Sequence, residues 1–287
     1  MRASSVPDTV HLIGASGRSG AALARALLAE GTTVVPVVRD AARWEATGLP
    51  GQPRLADLRD PAALATALCD AVAVTSGAHA RHIPAILAAA PTAARFVFLG
   101  STRRFTRWPD DHGNGVIAGE AAFRAAGRPG FLLHPTMIYG AQGEDNVQRL
   151  AALLRRLPVV PLPGGGRALV QPIHQGDVTA AILAALRVKV TGPEVLTIAG
   201  PAPLPYADFV RAIARAAGLR PPRILPVPAA PLIALAPLTR LPFLPTIRAA
   251  ELRRLLEDKA FDIGPARARL GLDPVPLAEG LARTFSS

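Results

Sequence analysis

One cysteine, Cys69, stands in a chain of 287 residues, so no disulfide can form within it. It lies in an apolar helical stretch and is expected in the core. Lysine is nearly absent: of 32 basic residues only Lys189 and Lys259 are lysines, the rest arginines. Tyrosine is as scarce, at Tyr139 and Tyr206, and aromatics make up 5% of the chain. There is no zinc-finger spacing, no recognition-helix pattern and no basic run interleaved with aromatics. The net charge of +11 therefore does not point to nucleic acid, and no metal site is expected. Scattered positive charge suits anionic small ligands, or peripheral contact with an anionic membrane, instead. No long unbroken apolar run exists. The longest, Ile224 to Leu238, is interrupted by Pro226, Pro228, Pro231 and Pro237, which excludes a membrane span. Met1 to Asp8 lacks the apolar run of a signal peptide, and a cytoplasmic location is expected.

Glycine is present where it matters. Thr9 to Ile13 reads as a short apolar strand, Gly14-Ala15-Ser16-Gly17-Arg18-Ser19-Gly20 as a turn, and Ala21 to Glu30 as an Ala/Leu-rich helix. Gly14 permits the tight turn. Gly17 lets backbone approach a pyrophosphate, and Gly20 lets helix pack on strand. The free N–H groups at the helix start then face the phosphates. The strand before and helix after this GxxGxxG mark a dinucleotide site rather than a plain loop.

The same alternation continues. Strands are expected at Thr32 to Val38, Arg54 to Leu58, Ala71 to Ser76, Arg95 to Leu99, Phe131 to His134, Ala168 to Ile173 and Val195 to Ala199. Helices are expected at Asp60-Pro61 to about Leu68, His82 to Ala90, Asn114 to Ala126, Asn146 to Arg156, from an Asp177 cap to Arg187, at Tyr206 to Gly218, and at about Ile247 to Glu257. Pro158 to Gly166 reads as a linker. This is an α/β chain with a doubly wound parallel sheet, ligands lying at the carboxyl ends of its strands. The expected division is a nucleotide-binding core over 1–140 and a mixed remainder over 141–287 with a small C-terminal α/β lobe for substrate or partner. Arg39 ends the second strand. It suits a 2′-phosphate, and Arg18 in the glycine loop adds a second positive charge, so NADP is favoured with NAD as the alternative.

The landmarks now resemble a family. Gly14-x-x-Gly17-x-x-Gly20, Asp57-Leu58, Phe96-Val97-Phe98-Leu99-Gly100-Ser101, Pro135-Thr136-Met137-Ile138-Tyr139-Gly140, Ile173-His174-x-x-Asp177-Val178 and Leu270-Gly271-Leu272-Asp273-Pro274 occur in order. The chain resembles the extended and atypical short-chain dehydrogenase/reductases, often labelled NAD-dependent epimerase/dehydratase. Within them it looks most like the branch near the nucleotide-binding accessory subunit of respiratory complex I. The resemblance implies that Gly14, Ser16, Gly17 and Gly20 hold the pyrophosphate, that Arg39 sits by the adenosine ribose, and that Asp57 and Leu58 flank the adenine. It implies that Ser76 and Gly77 line the path to the nicotinamide and that Ser101 holds the catalytic Ser/Thr position.

One departure matters. The family's chemistry runs on Tyr-x-x-x-Lys, and no tyrosine–lysine pair here has that spacing. Alignment puts His112 at the tyrosine position, Val116 at the lysine position and His134 where an arginine usually precedes Pro135. A histidine titrates near pH ~6.5 and needs no lysine to act as acid or base. His112 and Ser101 are thus the candidate catalytic pair, with Asp110, Asp111 or Arg103 tuning the imidazole. Thr102, Arg103, Asn146 and Gln171 are candidate substrate contacts. Trp44 and Trp108 are expected in packing or the cleft wall. Two readings follow: hydride transfer at a carbonyl or alcohol carbon with a non-standard proton donor, or an inactive NADP(H)-binding sensor or scaffold. The second would dock a protein partner or a membrane surface through Pro228 to Pro245.

Overall fold

The computed structural model describes residues 6–140, 146–230 and 253–286. Its frame is one sheet. Strand β1 (Thr9–Ile13) pairs in parallel with β2 (Thr33–Val38) on one side and β4 (Ala73–Ser76) on the other. Strand β3 (Arg54–Leu55) follows β2, while β5 (Arg95–Leu99) and β6 (Gly130–Pro135) extend the sheet beyond β4. Beyond the two-residue β7 (Ile138–Tyr139) come β8 (Val159–Pro163), β9 (Leu169–Val170) and β10 (Ile173–His174), then β11 (Pro193–Ile198), which closes the sheet against β6. The order is β11-β6-β5-β4-β1-β2-β3, all parallel. It reverses between β1 and β4, and such a reversal opens a crevice at the strands' carboxyl ends.

Helices cover both faces because buried parallel strands are apolar on both. Val10 and Leu12 of β1 face α1 (Arg18–Ala29) and α7 (Gln175–Arg187); Ile13 faces the other way, with Phe96 and Phe98 of β5. That second layer contains α3 (Pro61–Leu68), α4 (Ile83–Ala89) and α5 (Asp111–Ala126), with the short α2 (Ala41–Glu45) beside β2. A third apolar cluster belongs to the second half of the chain. It joins α6 (Asn146–Leu154), β8, α8 (Tyr206–Ala216) and, near the C-terminus, α10 (Leu277–Phe285), which follows α9 (Gly264–Leu270). Strand β12 (Leu204–Pro205) pairs with β9 antiparallel, and β13 (Arg223–Val227) with β8 in parallel.

Several expectations are corrected. Cys69 is exposed: it caps the C-terminus of α3, where an apolar pattern no longer means an inward face. The expected strand Ala168 to Ile173 is two short strands, and the expected linker Pro158 to Gly166 contains β8. Helix α7 is capped by His174, whose ring accepts from the Gly176 N–H; Asp177 sits in its first turn and accepts from the Val275 N–H. Helix α5 begins at Asp111, capped by Asp110, so His112 is in a helical first turn, not a loop. The expected contact stretch Pro228 to Pro245 and the expected helix Ile247 to Glu257 lie outside the described residues except at 228–230 and 253–257. Among the described residues no helix is long and apolar enough to cross a membrane.

Candidate functional site

The glycine turn is built as a cradle. Gly14 adopts φ +75°, and the Gly17 N–H closes the turn onto the Gly14 carbonyl at 2.9 Å. A Cβ on Gly20 would lie 2.2 Å from that same carbonyl oxygen, so only glycine lets α1 approach β1 this closely. The N-terminus of α1 has no side-chain cap and no acid in its first turn. Its positive dipole end and N–H groups are left for an anion.

A cleft of about 840 Å³ opens beside this turn, within the size range of ligand pockets. Of the residues expected to bind cofactor, Gly14, Ser16, Gly17, Arg39, Asp57, Leu58 and Gly77 line it. Gly20 supports the turn from beneath, and Arg18 is the first residue of α1. Ser76 is buried, its hydroxyl accepting from the Ala78 N–H. The wall also holds Arg43, Arg59, Arg81, His79 and His82, which the sequence reading did not pick out. Their only local sign is His79, whose ring accepts from the Arg81 N–H and starts a tight turn over Ala80–His82.

The lining has four arginines and two carboxylates, and both carboxylates are engaged. Asp40 caps α2 through the Ala42 N–H and faces Arg43 at 3.7 Å. Asp57 receives Arg59 at 2.8 Å, and that hydrogen-bonded partner holds its carboxyl well below the usual range. Arg39 and Arg81 have no carboxylate within ion-pair distance among the described residues. The cleft is net cationic.

The candidate catalytic residues lie outside that lining. Ser101 follows β5; its N–H donates to His134 Nδ1 at 3.0 Å and its hydroxyl accepts from the Arg103 N–H. The His112 ring meets the His79 ring edge-on, with centroids 4.3 Å apart. Burial first, then Arg103, lowers the His112 pKa against the pull of Asp110. Burial and His112 push His79 down to about 4. Val116, at the position the resemblance gives to lysine, is fully buried.

Other candidates are engaged elsewhere. Thr102 donates to the Pro135 carbonyl, and Arg103 pairs with Asp110. The Asn146 amide donates to the Ile138 carbonyl, and its oxygen accepts from the Val147 N–H. Gln171, 3% exposed, bridges the Gly200 carbonyl and the Phe261 N–H. Trp44 is core, while Trp108 is 42% exposed beneath the Arg253 guanidinium. The turn after Ser101 is fastened from the far end of the chain: Glu257 accepts from Thr106 Oγ1 and the Arg107 N–H, and Arg254 reaches Asp110 at 2.9 Å. Among the described residues no group of three or more His, Cys, Asp or Glu is placed to hold a metal ion.

All six histidines have pKa values lowered, chiefly by burial. The unfolded chain therefore binds more protons than the folded one below the ordinary imidazole value, so stability rises with pH through this window. That contribution is complete above about pH 6.5 and is lost as pH falls toward the lowered values. Thermal unfolding scans should show Tm lower by roughly 5 °C or more at about pH 5 than at about pH 7.5. A flat profile would show that the imidazoles are not buried as neutral rings.

Residues 14–125 match the model of an NAD(P)H-binding family. No curated protein matches significantly. Among solved structures the chain is similar to gox2253, at 17% identity and TM-score 0.77, over 98% of this chain and 97% of that one. It is similar to the UDP-glucuronic acid 4-epimerase of Bacillus cereus in complex with UDP-glucuronic acid and NAD, at 16% identity and TM-score 0.73, over 97% and 98%. It is also similar to the UDP-glucose 4-epimerase of Thermotoga maritima with UDP-glucose, at 16% identity and TM-score 0.74, over 97% of each chain. At these identities the likeness establishes a shared fold.

Proposed function

We propose, from an NAD(P)H-binding domain carried on an epimerase-type fold, that this chain binds NADP(H) and transfers hydride at a carbonyl or alcohol carbon with His112 as the proton carrier. The observation that carries the cofactor reading is the cleft itself: an uncapped helix N-terminus behind a glycine cradle, walled by two arginines that have no carboxylate within ion-pair distance among the described residues. The residues fit the group. A Cβ on Gly17 would come within 3.1 Å of the Gly14 carbonyl, whereas Gly77 faces open space. When bound, the nicotinamide gives or takes hydride at its C4.

The chain's own residues do the rest. The α1 N–H groups and Ser16 hold the pyrophosphate, and Arg39 takes the 2′-phosphate. The Ser101 oxygen accepts from the Arg103 N–H, and among the described residues its hydroxyl proton has no acceptor, so that proton is offered to the substrate oxygen. The lowered His112 pKa leaves the imidazole neutral near pH 7. A neutral imidazole can take a proton, which suits His112 to act as the general base when an alcohol is oxidised.

His112→Ala should lower kcat/KM by about 100-fold, and Ser101→Ala by a similar factor, with NADPH affinity unchanged. Turnover would be followed at the nicotinamide absorbance across a panel of alcohols and carbonyls, with cofactor binding measured by calorimetry. Inert wild-type protein, with both variants binding cofactor equally well, would sink the enzyme reading. The buried Val116, at the position the resemblance gives to lysine, favours the second reading for that case: a cofactor-binding sensor or scaffold.

A further inference from the structure

Strand β6 carries, just before its last residue, a histidine that the proposed reaction leaves without a task. His134 is completely buried. Its Nδ1 accepts the Ser101 N–H at 3.0 Å, and its Nε2 lies 2.9 Å from Glu120 Oε2. A ring nitrogen that accepts from an N–H carries no proton itself. The network therefore assigns the neutral tautomer with its proton on Nε2, donated to Glu120.

Glu120, on α5, is 5% exposed and stays ionised: burial opposes the charge, but Arg124, His134 and Arg104 together hold its carboxyl below the usual range. Arg124 Nε lies 3.0 Å from one oxygen and Arg104 Nε 2.9 Å from the other. With Phe105 edge-on at 6.5 Å, these are the charged and aromatic groups that face the ring, from α5 and from the turn after Ser101.

The pairing is built into the sequence on both sides. A Cβ on Gly100 would sit 2.2 Å from His134 Nδ1, so the residue before Ser101 has to be glycine for the ring to reach the amide. Ser101 is then gripped twice, by its N–H through His134 and by its oxygen through the Arg103 N–H. Among the described residues the hydroxyl proton has no acceptor.

We propose that His134 is a positioning residue for Ser101: as a neutral imidazole anchored on Glu120, it fixes the Ser101 amide and so aims the Ser101 hydroxyl at the substrate oxygen. The aiming rests on the reading that Ser101 meets the substrate; the amide contact does not. A consequence follows in acid. A second proton on Nδ1 turns the acceptor into a donor facing another N–H, and the grip on Ser101 is lost. Burial holds that protonation below the ordinary imidazole range, with Glu120 opposing.

The test begins with unmutated, isotope-labelled protein. The Ser101 amide resonance and its hydrogen exchange are followed from about pH 8 to about pH 5 beside the His134 ring resonances. The expected result is one shared midpoint for the Ser101 amide and His134 Nδ1, with exchange protection lost through it. His134→Asn, whose side-chain oxygen takes the place of Nδ1, is then compared with His134→Leu, which has no acceptor. The leucine variant should lose about tenfold in kcat with KM for NADPH unchanged, and the asparagine variant should recover most of it. A Ser101 amide indifferent to His134 titration would overturn the proposal, and so would equal kcat in the two variants. If wild-type protein has no turnover, the hydride-transfer reading fails by itself, and the amide titration alone then decides whether His134 holds Ser101.

Discussion

Replacing Gly20 with valine should weaken dinucleotide binding by at least about 100-fold and lower Tm by roughly 5–10 °C. The reason is backbone against backbone. The first side-chain carbon would lie 2.2 Å from the Gly14 carbonyl oxygen, 2.9 Å from its carbon and 3.0 Å from the Ala15 Cα. No rotamer change relieves contacts with main-chain atoms, so α1 must back away from β1 and the turn between them must open. Overpacking of this kind costs about 1–3 kcal/mol, and more where nothing yields. The same displacement moves the α1 N–H groups away from the phosphates, so stability and affinity fall together. A graded series separates this from general damage. A Cβ at Gly17 would be 3.1 Å from the same oxygen, and one at Gly192 would meet nothing within 4 Å. Alanine at Gly192 should be close to neutral, alanine at Gly17 intermediate, and valine at Gly20 the most damaging, measured by thermal unfolding and by calorimetry with NADPH. A Gly20→Val protein that binds within threefold of wild type would mean that the cradle is not where phosphate sits.

How much of this was legible in the sequence depended on how local its cause was. Strand β1 ends where the apolar run ends, and the α3 cap, Asp60 before Pro61, accepts from the Ala62 and Ala63 N–H groups as its sequence implies. Asp110 carried an equally local signal: it caps α5 through the Gly113 N–H, but the helix was expected three residues late because Gly113 and Gly115 weaken its first turn. Strand β8 was hidden by its own residues. Pro161 and Pro163 read as a linker, yet a two-stranded ribbon leaves an outer edge where a missing N–H costs nothing. Strand β9 is separated from β10 where Gln171 turns its amide to the Gly200 carbonyl and the Phe261 N–H, partners 29 and 90 residues away. The contact between His134 and Ser101 spans 33 residues, and only the fold brings the two together. The cationic wall was half visible: Arg39 stands at a strand end, while Arg81 and His82 reach the cleft through a tight turn that no periodicity announces.

Arg39→Asp should reverse the cofactor preference, lowering NADPH affinity by about 100-fold while raising NADH affinity a few-fold. Discrimination at this end of the cleft is a question of which charges are already spent. Asp40, next in sequence, caps α2 and faces Arg43; Asp57, across the cleft, is held by Arg59. Both carboxylates already carry a cationic or capping partner, which weakens their hold on a ribose 2′-hydroxyl, the acceptor contact that a preference for NADH requires. Arg39, exposed at the end of β2, has no carboxylate within ion-pair distance among the described residues and faces the same space. A charge-assisted hydrogen bond to phosphate is worth about 1.5–3 kcal/mol, or roughly 10- to 100-fold, and the aspartate adds repulsion to that loss. The same carboxylate supplies the acceptor that the ribose hydroxyl lacks. Ionic strength gives an independent reading, because the contact is exposed: NADPH binding to wild-type protein should weaken with salt more steeply than NADH binding, and Arg39→Asp should remove most of the difference. Competitive calorimetric titrations at two salt concentrations measure both effects. An unchanged NADPH-to-NADH ratio in the variant would place the ribose away from Arg39, and the recognition of any 2′-phosphate would then have to fall to Arg43, Arg59 or Arg81.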